Sequence, residues 1–167
     1  FSARQSSLGL RSFIPTSFGL VKTDLSFDLV GSDGSTSIHW LSIRAELGKF
    51  GVGQTYSNFM DIDVFPNTID YWGPSGMVFV RNPQLRVTPW ADDKSSIAFA
   101  LEAPNSALDT GKISDISPDF GAGFTGWNPL PDLTASRRTS GDWGHFKASG
   151  ILPQVGYQNT LTPDNNP

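Results

Sequence analysis

The segment LVKTDLSFDLV, residues 20–30, sorts its side chains with a period of two. Val21, Thr23, Leu25, Phe27 and Leu29 share one side, and Lys22, Asp24, Ser26 and Asp28 share the other. A helix would mix these two sets, whereas a strand separates them, because successive strand side chains point to opposite faces. The same alternation runs outward in both directions. Upstream, RQSSLGLRSF (4–13) places Leu8 and Leu10 opposite Gln5, Ser7, Gly9 and Arg11, and FIPTSFG (13–19) reads as the turn of a hairpin. Downstream of the loop GSDGSTS, IHWLSIRAEL (38–47) sets Leu41, Ile43, Ala45 and Leu47 against Ser42, Arg44 and Glu46.

GKFG then turns the chain into VGQTYS. A strand pattern returns in VFVRNPQLRVTP, where Leu85 and Val87 oppose Gln84, Arg86 and Thr88, although Pro83 removes one ladder donor. SIAFALEA, SPDFGAGFTGW, LTASRRTS and WGHFKASGILP follow as further strands, and QVGYQ as a weak last one. The reading is all-β and antiparallel, one domain over residues 1–167 with eight or nine strands and no helix of any length. The chain opens on FSARQSSLGLRSF and ends on TPDNNP, which reads as a piece of a longer protein with both ends cut.

Composition narrows the function. The chain has 167 residues, 38% hydrophobic and 17% charged, with 17 Gly, 12 Pro, 12 Phe and 5 Trp. Low charge with many aromatics and turn formers suits short strands. A formal net charge of −4 argues against a nucleic-acid partner, which calls for a clustered basic face. The lack of cysteine excludes disulfides and thiolate metal sites. His39 and His145 fall in separate strands without triad or metal-ligand spacing, so no catalytic residue, cofactor or metal is expected.

One stretch resists both periods: GQTYSNFMDIDVFPNTIDYWGPSG (53–76), which carries Asp61, Asp63 and Asp70. A structureless run of that length inside a domain is uncommon and usually functional or disordered. Its DID lacks the Gly and ligand rhythm of a calcium loop. Alternation alone suits either a soluble β-sandwich, as in a carbohydrate-binding module or a glycosidase, or a membrane barrel. Alternating short and long connections favour a barrel, as do aromatics near strand ends (Phe18, Trp40, Phe50, Tyr56, Trp90, Trp127, Trp143).

The acidic loop together with MVFVRNPQLRVTP (77–89) resembles the third-loop region of DcaP-like outer-membrane porins of Gram-negative bacteria. ARQSSLGLRS and PTSFGLVKTDLSFDL near the start, then IRAELGKFGVGQT, then PLPDLTASRRTSGDWGHFKASGIL, agree with that family in order. The resemblance implies an outer-membrane, sixteen-stranded barrel assembled as a homotrimer, passing small hydrophilic, often anionic solutes such as dicarboxylates. This chain offers about half of those strands and no terminal strand ending in an aromatic, so it should not insert alone. The resemblance also implies that a loop of about residues 58–77 folds inward and narrows the channel. Asp61, Asp63 and Asp70 are then expected on the constriction, facing basic residues Arg11, Lys22, Arg44 and Arg86, with Asp24, Asp28 and Glu46 also lining the pore. Arg137 and Arg138 cannot both face inward, as neighbours on a strand alternate.

Overall fold

The computed structural model describes residues 6–31, 35–65, 78–104 and 123–159. Ten strands are present among them: β1 Leu8–Thr16, β2 Gly19–Val30, β3 Thr36–Leu47, β4 Phe50–Tyr56, β5 Arg81–Ala91, β6 Ser95–Glu102, β7 Phe124–Gly126, β8 Asp132–Gly141, β9 Gly144–Leu152 and β10 Tyr157–Asn159. Eight of them form a single antiparallel sheet in the order β1-β2-β3-β4-β5-β6-β8-β9, while β7 and β10 pair with each other. Each strand of the large sheet lies beside its predecessor in that order, a simple up-and-down meander. No helix among the described residues is long and apolar enough to cross a membrane, a fact that leaves strand crossings untouched.

The connections are unequal in a regular way. Ser17 and Phe18, Gly48 and Lys49, residues 92–94, and Asp142 and Trp143 join strands at one end of the sheet. The connections spanning residues 31–35, 57–80 and 103–131 all leave from the opposite end. Short turns on one side and wider loops on the other are the pattern of a transmembrane barrel.

Several elements differ from their sequence reading. The first hairpin turn is two residues, Ser17 and Phe18, because β1 continues through Phe13, Ile14 and Pro15 to Thr16. Pro15 is tolerated there because β1 is an edge strand of the sheet, where a missing donor need not break an inner ladder. Pro83 sits inside the eleven-residue β5 without breaking it. Its carbonyl accepts the Ala103 amide at 2.8 Å, so its donorless side faces the place where β6 has ended. Of SPDFGAGFTGW only Phe124–Gly126 forms a strand among the described residues, and the weak last strand lies at Tyr157–Asn159.

Strict alternation also fails at Trp40. Ser26 pairs with Ser42 but Phe27 pairs with Trp40, so a bulge shifts the phase of β3. Trp40 thereby joins Phe27 on the aliphatic face, the rings edge to face at 5.6 Å, and His39 arrives opposite Asp28 on the other.

The two faces of the sheet are chemically distinct. Across the register, Leu10, Leu25 and Ile43 align on one face, as do Val52, Leu85, Leu101 and Leu133. This face is open: Leu10 is 65% exposed and Leu85 59%. The buried positions lie on the other face and are mostly polar, including Ser42, Thr55, Asn82, Gln84, Glu102, Asp132 and Thr134. Among the described residues the buried apolar side chains are Met60, Ala98 and Ala100 alone. A sandwich would bury its aliphatic face; here the arrangement is reversed.

Candidate functional site on the polar face

The polar face begins as ion pairs dictated by register. Arg11 and Asp24 are cross-strand partners and meet at 2.8 Å. His39 and Asp28 are likewise partners, at 3.1 Å. Arg44 pairs with Glu46 two residues along the same strand, the spacing that puts both on one face. Lys22 stands opposite Glu46 in the register but has no carboxylate of the described residues within 4 Å. Room for the long Arg44 and Glu46 side chains comes from β4, which sets Gly53 and Gly51 across from them. Gly53 has a φ of +124°, and a Cβ there would fall 2.0 Å from the Ile43 carbonyl oxygen. Only glycine fits that position.

Beyond β4 the chain turns onto this polar face and crosses it. The Ser57 amide donates to the Val80 carbonyl at 3.0 Å, and the Met60 amide to the Ser57 carbonyl at 3.3 Å. Arg86 holds the exit from β4 by donating to the Tyr56 carbonyl at 2.9 Å, while its Nε donates to Gln84. Asn58 reaches β6 and β8: its side-chain amide donates to the Ala98 carbonyl at 3.1 Å and accepts from the Ser136 hydroxyl at 2.7 Å. Lys147 on β9 donates to the Met60 carbonyl at 2.5 Å. Ala98 and Ala100 are buried because the loop lies over them, and their small size lets it lie close.

The acidic part of the loop ends on β8 and β9. Asp61 caps a single 3-10 turn, Ile62–Val64, by accepting the Asp63 amide at 3.1 Å. Its other oxygen meets His145 Nε2 at 2.9 Å. Arg138 donates to Asp63 at 2.5 Å and stands 3.7 Å from Asp61. Burial pushes the Asp61 carboxyl up, but the Asp63 amide, the His145 ring and the Arg138 charge outweigh it, leaving the group below its ordinary value. Arg138 and Lys147 are directly opposed in the register, as are Ser140 and His145. Like charges facing each other across a ladder destabilise it, and the loop supplies the opposing carboxylates.

Phe65 closes the described part of the loop against Phe79, ring centroids 5.6 Å apart. Arg81 stacks over Tyr56 at 4.4 Å and over Phe79 at 5.0 Å, and donates to the Tyr56 hydroxyl. The loop therefore leaves and begins its return within one aromatic cluster.

The sequence-derived residues are thus brought together unevenly. Arg11, Lys22, Asp24, Asp28, Arg44, Glu46 and Arg86 all stand on the polar face by register. Asp61 and Asp63 meet Arg138 and His145, and neither stands within 4 Å of Arg44 or Arg86. Arg137 lies on the aliphatic face between Ile97 and Ala148. Asp70 and residues 66–77 of the proposed loop are outside the described residues. Sequence reasoning missed Glu102, Thr134, Ser136 and Lys147, whose signal was only their parity, and Asn58, which lies outside any strand and carried none. The donor atoms of Asp61, Asp63 and His145 lie within 4.8 Å of one another, a spacing a metal ion could use. Arg138 already spends its charge on both carboxylates, so an ion there would first have to displace it.

Comparison with known proteins agrees with this geometry. Residues 1–114 match the family described as "DcaP outer membrane protein". The crystal structure of the outer membrane channel DcaP of Acinetobacter baumannii superposes with a TM-score of 0.78 at 22% identity. The match covers 94% of this chain and 43% of that one, so the chain spans less than half the length of its structural relative. No curated protein matches the sequence. The shared fold is a β-barrel wall, of which the eight-stranded sheet is an unclosed part.

Proposed function

This chain belongs to the DcaP outer membrane protein family, and from that premise we propose that it forms part of the wall of a water-filled channel for small hydrophilic solutes. The observation that carries the reading is the inverted sheet: an exposed aliphatic face, and a polar face on which a charged loop is docked. Buried charge of this kind is supportable only where the enclosed space is wet, and aliphatic surface of this extent only where lipid meets it.

In this reading the segment of about residues 58–77 narrows the channel, with Asp61 and Asp63 on one side and the basic residues of the wall on the other. Opposed charges across a narrow opening create a field that sorts permeant ions. A preference for anions, dicarboxylates among them, is supported by Lys22, Arg86 and Lys147, which have no carboxylate within 4 Å among the described residues. Assembly as a homotrimer in the outer membrane completes the proposal. The test is reconstitution of the intact protein in planar lipid bilayers. Stepwise conductance, with a reversal potential in a potassium chloride gradient that reports anion preference, is the expected result. Bilayers that stay silent would remove the channel reading, and a cation-selective potential would remove the anion preference alone.

A further inference from the structure

We propose that Glu102 is the positioning residue that sets where the acidic loop lies on the wall. The inference rests on the channel reading for its consequence, though not for its geometry. Glu102 is the last residue of β6, points to the polar face and is 1% exposed. One of its oxygens, Oε1, accepts both the Asn58 amide and the Thr134 hydroxyl, each at 2.8 Å. Thr134 is itself fully buried.

The wall gains little from an acid at this place. Glu102 faces Asp132 in the register, and two acids directly opposed weaken a ladder. The loop gains much. Asn58 is the second residue after β4 ends, so its amide has no strand to donate to, and a buried amide left without an acceptor is costly. Glu102 supplies that acceptor, the Ala98 carbonyl and the Ser136 hydroxyl fix the Asn58 side chain, and a 2%-exposed residue is thereby tied to two strands. The carboxylates that follow, Asp61 and Asp63, are placed by this tie. Glu102 touches no solute in this role; it acts through Asn58.

What Glu102 provides is an acceptor oxygen, which glutamine keeps and leucine does not. The experiment compares Glu102→Gln, Glu102→Leu, Asn58→Ala and Asn58→Pro in the intact protein, because Asn58→Ala keeps the backbone amide that Glu102 accepts and Asn58→Pro removes it. Each is read in two ways: single-channel conductance in planar bilayers, and the rate at which a short thiol cross-linker joins cysteines placed at 61 and 145. None of these 167 residues is a cysteine, and any cysteine elsewhere in the intact protein is first replaced by serine. Glu102→Gln should match the parent in both readouts. Glu102→Leu should cross-link roughly tenfold more slowly than the parent, and Asn58→Pro more slowly than Asn58→Ala, the order expected for losing a buried hydrogen bond, and both should conduct in larger, noisier steps. Asn58→Pro changes no residue of the wall and serves if Glu102→Leu does not assemble. Parent-like behaviour of Glu102→Leu, or an Asn58→Pro no slower than Asn58→Ala, overturns the proposal, as does a glutamine variant that behaves like leucine, which would assign the role to charge. A parent protein that cross-links but never conducts removes the channel reading and leaves the anchor standing.

Discussion

Arg137 and Arg138 are neighbours in sequence with opposite surroundings. Alternation requires them to part, and they do: Arg138 meets Asp61 and Asp63, while Arg137 lies across from Ile97 and Ala148 on the aliphatic face. Arg138→Ala should therefore release two carboxylates toward the passing ion and move the reversal potential toward cation preference. Arg137→Ala should leave conductance and selectivity as they were. Equal effects from the two would mean that the faces are misassigned. The parity of each residue is legible in the sequence, but the partner is not. Asp63 and Arg138 are 75 positions apart, and no local period reports which wall a loop will meet. Gly53 was hidden for a related reason, since its need for a left-handed φ comes from the approach of Ile43 on another strand. Gly53→Ala should lower the yield of folded protein in detergent, with a strain of about 1–3 kcal/mol before the clash is added.

At the level of the element, the loop over 57–65 behaves as a strap with a hydrogen-bonded anchor at Asn58 and an electrostatic end at Asp61 and Asp63. The Asp61 carboxyl is depressed in the folded protein, so its stabilisation is complete above the ordinary value of 3.8 and is lost as pH falls through the depressed one. Conductance should then hold steady from neutrality to about pH 4 and become larger or less steady only in stronger acid. A transition well above about pH 4 would remove Asp61 as the controlling group. Asp61→Asn combined with Asp63→Asn leaves Arg138 without its two carboxylates, and the reversal potential should move toward stronger anion preference at neutral pH. Sequence showed that this stretch was neither helix nor strand. It could not show that Ala98 and Ala100 open a seat for it, because small residues on a polar face look the same with or without a cover.

The whole sheet is an inside-out object, and that property was only half visible beforehand. Alternation in LVKTDLSFDLV separates two faces but does not say which one meets water, since a sandwich and a membrane barrel share the pattern. Exposure decides it: Leu85 is open while Gln84 beside it is buried. A charge placed on the open aliphatic face should therefore weaken the protein in lipid. Leu85→Arg should cost about 2–4 kcal/mol if that position lies near the bilayer centre, measured by reversible unfolding from vesicles, and Trp143→Arg, in a turn, about 0–1. Similar costs at both positions would mean that Leu85 does not lie in the hydrocarbon region.

The unequal ends of the sheet bear on how such a protein can change over time. The narrow connections hold two or three residues each, and one of them needs Gly48 at a φ of +58°, so added length there disturbs the strands on both sides. The wide connections all lie at the far end, where, outside the docked residues 57–65, a peptide can be inserted without altering any strand pair. An epitope tag placed within 31–35 should be tolerated and be stained by antibody on intact cells, and one placed between Gly48 and Lys49 should not assemble. Contact with the world outside the cell, whether antibody, phage or protease, would then fall on one rim alone, and length can be added there, outside the docked residues 57–65, while the turns at the other end cannot lengthen.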